Sequence, residues 1–143
     1  MNERLGGRYA RHGVTYTDAW FLYAILADTK RPIFVAKVGI STTPLLRIAA
    51  VHEASPFPIV AGMWAMVGGR SAAASAEARI RKAFSDRRTQ SDWYEFDQTS
   101  PDDRSRFNLT IRSLTAAAAH RPLEWHRLKQ GEIQNYLAAA KLA

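Results

Sequence analysis

Four side chains of types that act on phosphate esters are spread along this chain. They are a phenol, an ammonium, a guanidinium and a carboxylate, at Tyr23, Lys37, Arg47 and Glu77. Hydrolysis of a phosphodiester needs an activated water, neutralisation of the phosphate charge and stabilisation of the leaving oxygen, and one hard cation held by a carboxylate supplies much of this. A single carboxylate suits Mg²⁺, which prefers oxygen ligands and keeps several waters. These residue types permit metal-assisted chemistry on phosphates if the fold brings them together.

Each of these residues also has an ordinary structural interpretation. Glu77 could pair with an arginine four residues later on a helix, an exposed contact worth at most about 0.5 kcal/mol. Tyr23 could be a hydrogen-bonded core group, Arg47 could cover apolar surface with its stem, and Lys37 could face solvent. Because side chains alternate along a strand, Lys37 and Gly39 share one face, so a glycine that admits a close approach lies beside the lysine.

Four short segments predict a small antiparallel sheet. WFLYAILA and FVAKVGIS are apolar and are separated by a few turn residues, so they should pair as a hairpin. IVAGMWAMV predicts a third strand, and the alternation in DWYEFD predicts a short closing strand.

Two helices should carry the guanidinium and the carboxylate. Thr43 and Pro44 predict a helix start, because Thr offers a capping oxygen and Pro at the first helical position loses no needed N–H. This helix should run to about Ala54. A second helix should be capped by Ser71 and end near Ser85.

The rest of the chain predicts a basic N-terminal arm and a helical tail. Ser100 followed by Pro101 is typical of a helix start, and a last Ala-rich helix should cover residues 132–143. The expected fold class is α+β: an antiparallel sheet of three or four strands flanked by helices, with two C-terminal helices. The expected division is a basic arm over residues 1–18, a core over residues 19–98 and a helical extension over residues 99–143.

Six short motifs follow one another between residues 21 and 97. They are Phe21-Leu22-Tyr23, Lys37-Val38-Gly39, Arg47 eight residues after that glycine, Glu77, the pair Arg87 and Arg88, and Asp92-Trp93-Tyr94. In order and spacing they resemble the GIY-YIG nuclease superfamily. The lysine of the second motif resembles that of the phage-associated branch, whose motif is usually Lys-Ile-Gly. The resemblance covers about half of the chain, and it implies a GIY-YIG-like core in which Gly39 and Trp93 are structural members.

The resemblance implies an endonuclease that hydrolyses DNA phosphodiester bonds with Mg²⁺ or Mn²⁺. It implies that Glu77 is the metal ligand and that Tyr23 orients the attacking water or removes its proton. Arg47 would contact the scissile phosphate as a bidentate fork and Lys37 as a point charge.

Two departures from the family pattern keep other functions open. The histidine often found after the glutamate in this branch is Arg81 here, and no asparagine lies between Glu77 and Trp93 to match that of better-known members. The alternative is a catalytically weak or inactive DNA-binding or regulatory module on the same scaffold. A third interpretation is an interaction protein whose Ala-rich tail helices form a homodimer, with its basic surface incidental.

The charge of the chain favours a polyanionic partner. Twenty Lys and Arg against thirteen Asp and Glu give a formal net charge of +7, so binding to nucleic acid would release counterions. Five basic residues in one stretch predict contacts to the DNA backbone, which position a duplex without reading its bases. They are Arg79, Arg81, Lys82, Arg87 and Arg88. The alternative for this stretch is a solvated helix face.

Composition excludes several other classes. The chain has no cysteine, which excludes disulfides and thiolate zinc sites and suits a reducing compartment. Its longest apolar run, residues 19–27, is far shorter than the roughly 20 residues of a membrane-spanning helix. We therefore expect a cytoplasmic protein with DNA as its partner, no membrane partner, and a homodimer contact through the C-terminal helices.

Overall fold

The computed structural model describes residues 8–11, 14–17, 19–89, 92–129, 131, 132 and 135. For residues 8–11 and 14–17 it describes the backbone alone. The strands are Arg8–Arg11 (β1), Val14–Thr17 (β2), Trp20–Arg31 (β3), Ile33–Ser41 (β4), Ile59–Gly68 (β5), Tyr94–Asp97 (β6) and His126–Lys129 (β7). The helices are Pro44–Ala54 (α1), Arg70–Ala83 (α2) and Pro101–Ala119 (α3), and a short 3-10 turn covers Ser85–Arg87.

The main sheet has five antiparallel strands in the order β6-β4-β3-β5-β7. The α+β class is confirmed, as are the four predicted strands β3, β4, β5 and β6 and the hairpin between β3 and β4. The predicted count of three or four strands is wrong because β7 pairs with β5. Leu128 is the single apolar residue of β7, so this strand has no hydrophobic period to reveal it.

The central strand β3 is buried on both faces, as its continuous apolar sequence predicted. Leu22 and Ala24 belong to a core that includes Phe84, which directly follows α2, and Phe107, which lies in α3. Tyr23 and its same-face neighbours belong to a second core with Ile48 of α1. Helices α2 and α3 therefore cover one face of the sheet, and α1 covers part of the other.

The two helices next to the hairpin begin as the local sequence allows. Helix α1 has the predicted bounds, with Pro44 as its first residue, but the Thr43 side chain makes no cap hydrogen bond and lies 3.3 Å from Ser41 Oγ. The Ser71 cap is wrong, because α2 begins at Arg70, with Gly69 in an extended conformation as its cap. Helix α2 ends at Ala83, close to the predicted end.

Helix α3 has the predicted cap. The Ser100 side chain accepts a hydrogen bond of 3.3 Å from the Asp103 backbone N–H. The helix ends at Ala119, followed by the cap residue His120, whose φ is +58°. The second predicted C-terminal helix lies largely outside the described residues. Within the predicted arm, β1 and β2 form a separate antiparallel hairpin, although this segment has no clear strand period. None of the helices in the described part of the chain has the length and apolarity that a bilayer crossing requires.

Candidate active site at the edge of the sheet

A polar cavity of about 230 Å³ lies at the edge of the sheet where β6 begins. Strand β6 pairs with β4 only over residues 33–36, so the next residues of β4 border the cavity. All four side chains chosen from the sequence line it. Its lining consists of Tyr23, Lys37, Val38, Gly39, Ile40, Arg47, Glu77, Arg81, Arg88, Asp92 and Tyr94.

Tyr23 reaches this edge from the neighbouring strand by passing over a glycine. Tyr23 and Gly39 are paired across β3 and β4. A Cβ atom added at Gly39 would lie 2.6 Å from Tyr23 Cζ and closer still to its Oη. The phenol therefore occupies the space that any larger residue at position 39 would need, and its ring extends across β4 toward the cavity.

Arg47 and Lys37 place two cations around this phenol. Arg47 lies in the first turn of α1, on the same side of the sheet as Tyr23, and its Nε donates a long hydrogen bond of 3.4 Å to Tyr23 Oη. Lys37 lies two residues before Gly39, and its Nζ is 5.8 Å from the centroid of the Trp93 ring. The hairpin and α1 thus bring a phenol, an ammonium and a guanidinium to one place.

Glu77 comes from α2, which packs on the opposite face of the sheet. It reaches the cavity because no β6 residue pairs with β4 beyond Ala36 in the described register. Its Oε2 is 3.4 Å from Arg81 Nη2, and the two side chains are 20% and 57% exposed. An exposed pair of this kind is worth about 0.3–0.5 kcal/mol, so it holds the carboxylate only weakly. Both interpretations of Glu77 are therefore compatible, since it pairs with Arg81 and also faces the cavity.

The cavity favours anions. Four cationic side chains and two carboxylates line it, and one of those carboxylates, Asp92, is paired with Arg88 at 2.8 Å. Asp92 has a φ of +60°, a conformation that Asp tolerates better than most residues. The other carboxylate is that of Glu77, and its contact with Arg81 is weak and exposed.

Tyr94 is a second phenol in the cavity, and it was not predicted as a site residue. Burial raises the pKa of Tyr94 above its usual value, while the positive charges of Arg81 and Arg88 oppose that shift. The hydroxyl is therefore neutral near pH 7 and can donate a hydrogen bond. Alternation along DWYEFD placed Tyr94 on the same face as the buried Phe96, which indicates a core position. No local pattern distinguishes a core tyrosine from one at the wall of a cavity.

The five basic residues predicted to contact DNA have different surroundings. Arg81 and Arg88 line the cavity, whereas Arg79 and Lys82 are exposed elsewhere on α2. Arg87 donates two hydrogen bonds, of 3.0 and 2.9 Å, to the carboxylate of the buried Asp103. Arg87 is therefore held in a structural ion pair between the 3-10 turn and α3.

The donors around Glu77 fit a hard cation that keeps most of its waters. Within the described ranges, no three His, Asp or Glu side chains are grouped closely enough to hold a metal ion among themselves. Mg²⁺ is often bound by one or two carboxylates together with waters and phosphate oxygens. A single carboxylate in a polar, cation-lined cavity suits that mode of binding.

No protein-family model, curated protein or solved structure matches this chain. Any functional assignment therefore rests on the residues and geometry of the cavity.

Proposed function

We propose that this protein is a GIY-YIG-type endonuclease that hydrolyses DNA phosphodiester bonds with Mg²⁺ or Mn²⁺. One observation carries the proposal. Tyr23, Lys37 and Arg47 line the same cavity as Glu77, although they reach it from opposite sides of the sheet. Core packing alone gives no reason for four polar groups from two strands and two helices to meet at one sheet edge.

Glu77 would hold the cation. The cavity of about 230 Å³ has room for about seven waters at about 30 Å³ each, or for a phosphate group with a hydrated cation. When bound, the cation would neutralise charge on the phosphate and stabilise the leaving oxygen.

The protein side chains would bind and orient the reactants. Arg47 and Lys37 would bind oxygens of the scissile phosphate, and Tyr94 would donate a hydrogen bond to the same group. The Tyr23 hydroxyl would accept a hydrogen bond from the attacking water and align it with the phosphorus atom. Arg47 Nε, 3.4 Å from the Tyr23 oxygen, would stabilise the phenolate that forms when Tyr23 releases its proton to solvent. This phenolate would take the proton of the attacking water and return to the neutral phenol.

Cleavage of supercoiled plasmid with Mg²⁺ tests this proposal. We expect the wild-type protein to cut with Mg²⁺ and to stop cutting when a chelator is added, and we expect Glu77→Gln to cut at least about 100-fold more slowly, a loss of about 2.7 kcal/mol. Glu124→Gln is the matched control, because it changes the charge equally at an exposed position outside the cavity. Equal and negligible cutting by wild type and Glu77→Gln would refute the nuclease assignment.

A second candidate function is a DNA-binding or regulatory module without efficient chemistry. The Glu77–Arg81 contact favours it, because the guanidinium neutralises the carboxylate that a cation would need. This candidate predicts salt-sensitive DNA binding by the wild-type protein without turnover at any Mg²⁺ concentration. A homodimer through the C-terminal segment is a separate proposal, which light scattering of the full chain would test.

A further inference from the structure

A smaller pocket adjoins the cavity on the far side of Lys37. It has a volume of about 130 Å³ and is lined by Lys37, Val51, Ala54, Ser55, Pro56 and Trp93. Lys37 lines both the cavity and this pocket. The smaller pocket lies between the end of α1 and the ring of Trp93, which is only partly buried.

The walls of this pocket suit a flat ring. Val51, Ala54 and Pro56 provide aliphatic surface on one side and Trp93 provides an aromatic face. A cavity of about 150 Å³ in a protein core accommodates benzene, so a pocket of about 130 Å³ has room for about one six-membered ring. A base pair would not fit.

We propose that this pocket receives the base of an unpaired nucleotide next to the scissile phosphate, stacked on Trp93. The inference rests on the proposed function, since it takes Lys37 as a phosphate contact. Lys37 Nζ is 5.8 Å from the Trp93 ring centroid, a separation that one nucleotide bridges between its phosphate and its base. The preferred substrate is then DNA with an unpaired nucleotide at the cut site, such as a flap, a bulge or a frayed end.

Selection of an unpaired base has a clear physical cause. Within a duplex a base is already stacked and paired, and extracting it is unfavourable, whereas an unpaired base enters a pocket at little cost. Stacking on an aromatic ring tolerates every base, because each has a π-face. The pocket therefore selects the structure of the DNA and not its sequence.

Binding measured without cutting tests this inference. In the presence of a chelator, fluorescence anisotropy would compare a duplex carrying one unpaired nucleotide with the same duplex carrying an abasic residue at that position. The two substrates have the same phosphates, so their difference isolates the base. We expect the wild-type protein to bind the substrate with the base about tenfold more tightly.

Two variants change different walls of the pocket. Trp93→Leu removes the aromatic face, and Ala54→Phe fills the pocket from α1 while leaving Trp93 in place; each should abolish the tenfold preference. Trp93→Phe should retain most of it. Trp125→Leu is the control, because Trp125 packs beside Arg112 of α3, outside the pocket, and its loss should leave the preference unchanged.

The possible outcomes separate this inference from the nuclease proposal. Equal binding of the two substrates by wild type, or a preference that survives both Trp93→Leu and Ala54→Phe, would overturn the stacking pocket even if the protein cuts DNA. A preference without Mg²⁺-dependent cutting would support the pocket and reject the nuclease. Absence of any DNA binding would overturn both.

Discussion

Gly39 and Tyr23 face each other on neighbouring strands, and the phenol fills the space beside the glycine. The backbone of Gly39 is not in the left-handed region, so a strand at this position would accept other residues. The need for glycine comes from the tyrosine ring. Lys37 and Gly39 were predicted to share a face, but alternation alone could not show that the group approaching the glycine is Tyr23.

Removal of the Tyr23 hydroxyl should impair catalysis more than folding. Tyr23→Phe keeps the ring, so we expect an unfolding free energy within about 1 kcal/mol of wild type and single-turnover cleavage slower by about 100-fold. Gly39→Ala should displace the phenol, with a similar loss of cleavage and about 1–3 kcal/mol of destabilisation. In the double variant the loss of cleavage should not multiply, because both changes act on one hydroxyl. Multiplicative losses would show that Gly39 acts independently of Tyr23.

At the scale of elements, Asp103 joins three parts of the fold. It lies in the first turn of α3, accepts both hydrogen bonds from Arg87 in the 3-10 turn, and accepts a third of 2.7 Å from the Asp97 backbone N–H at the end of β6. Hydrogen bonds between charged partners are stronger than those between neutral groups. Asp103 is also buried, with only 7% of its surface exposed. The contacts fix the closing strand, and with it the neighbouring Trp93 and Tyr94, against the helical layer.

Loss of this carboxylate should destabilise the protein. Asp103→Asn is expected to lower the unfolding free energy by about 2 kcal/mol, because it weakens a charged, mostly buried hydrogen-bond network. Asp102→Asn is the matched control, since Asp102 is exposed in the same turn of α3 and meets the same helix dipole; its change should stay within about 0.5 kcal/mol. Urea denaturation measures both, and equal midpoints for the two variants would contradict this role of Asp103.

Local patterns in the sequence predicted the elements well where packing follows a period. Strand β3, the hairpin, the bounds of α1 and the Ser100 cap all have short-range causes, such as apolar runs, turn residues and capping oxygens. The ion pair of Arg87 with Asp103 was not predicted, because the partner lies sixteen residues away on another element. The meeting of Glu77 with Tyr23 depends on where β6 stops pairing with β4, and no local period encodes that register.

At the scale of the whole molecule, the net charge of +7 should make DNA affinity depend on salt. Lys82→Gln removes an exposed charge from α2, the helix that carries Glu77. We expect it to weaken binding equally for all sequences and to reduce the slope of log affinity against log salt by about 1. Arg104→Gln removes the same charge from α3 beside Leu26 and Phe34, away from the cavity, and should leave the slope unchanged. Equal slopes for Lys82→Gln and wild type would place the DNA elsewhere.

The limited pairing of β6 with β4 has a further consequence for the physical state of the protein. An unpaired sheet edge is a template for strand addition between molecules, and β4 presents such an edge beyond its pairing with β6 among the described residues. Here the unpaired stretch carries the ammonium of Lys37, and a strand docking from another copy would have to desolvate that charge. Lys37, the proposed phosphate contact, thus also discourages aggregation, and an apolar residue at position 37 would remove both properties together.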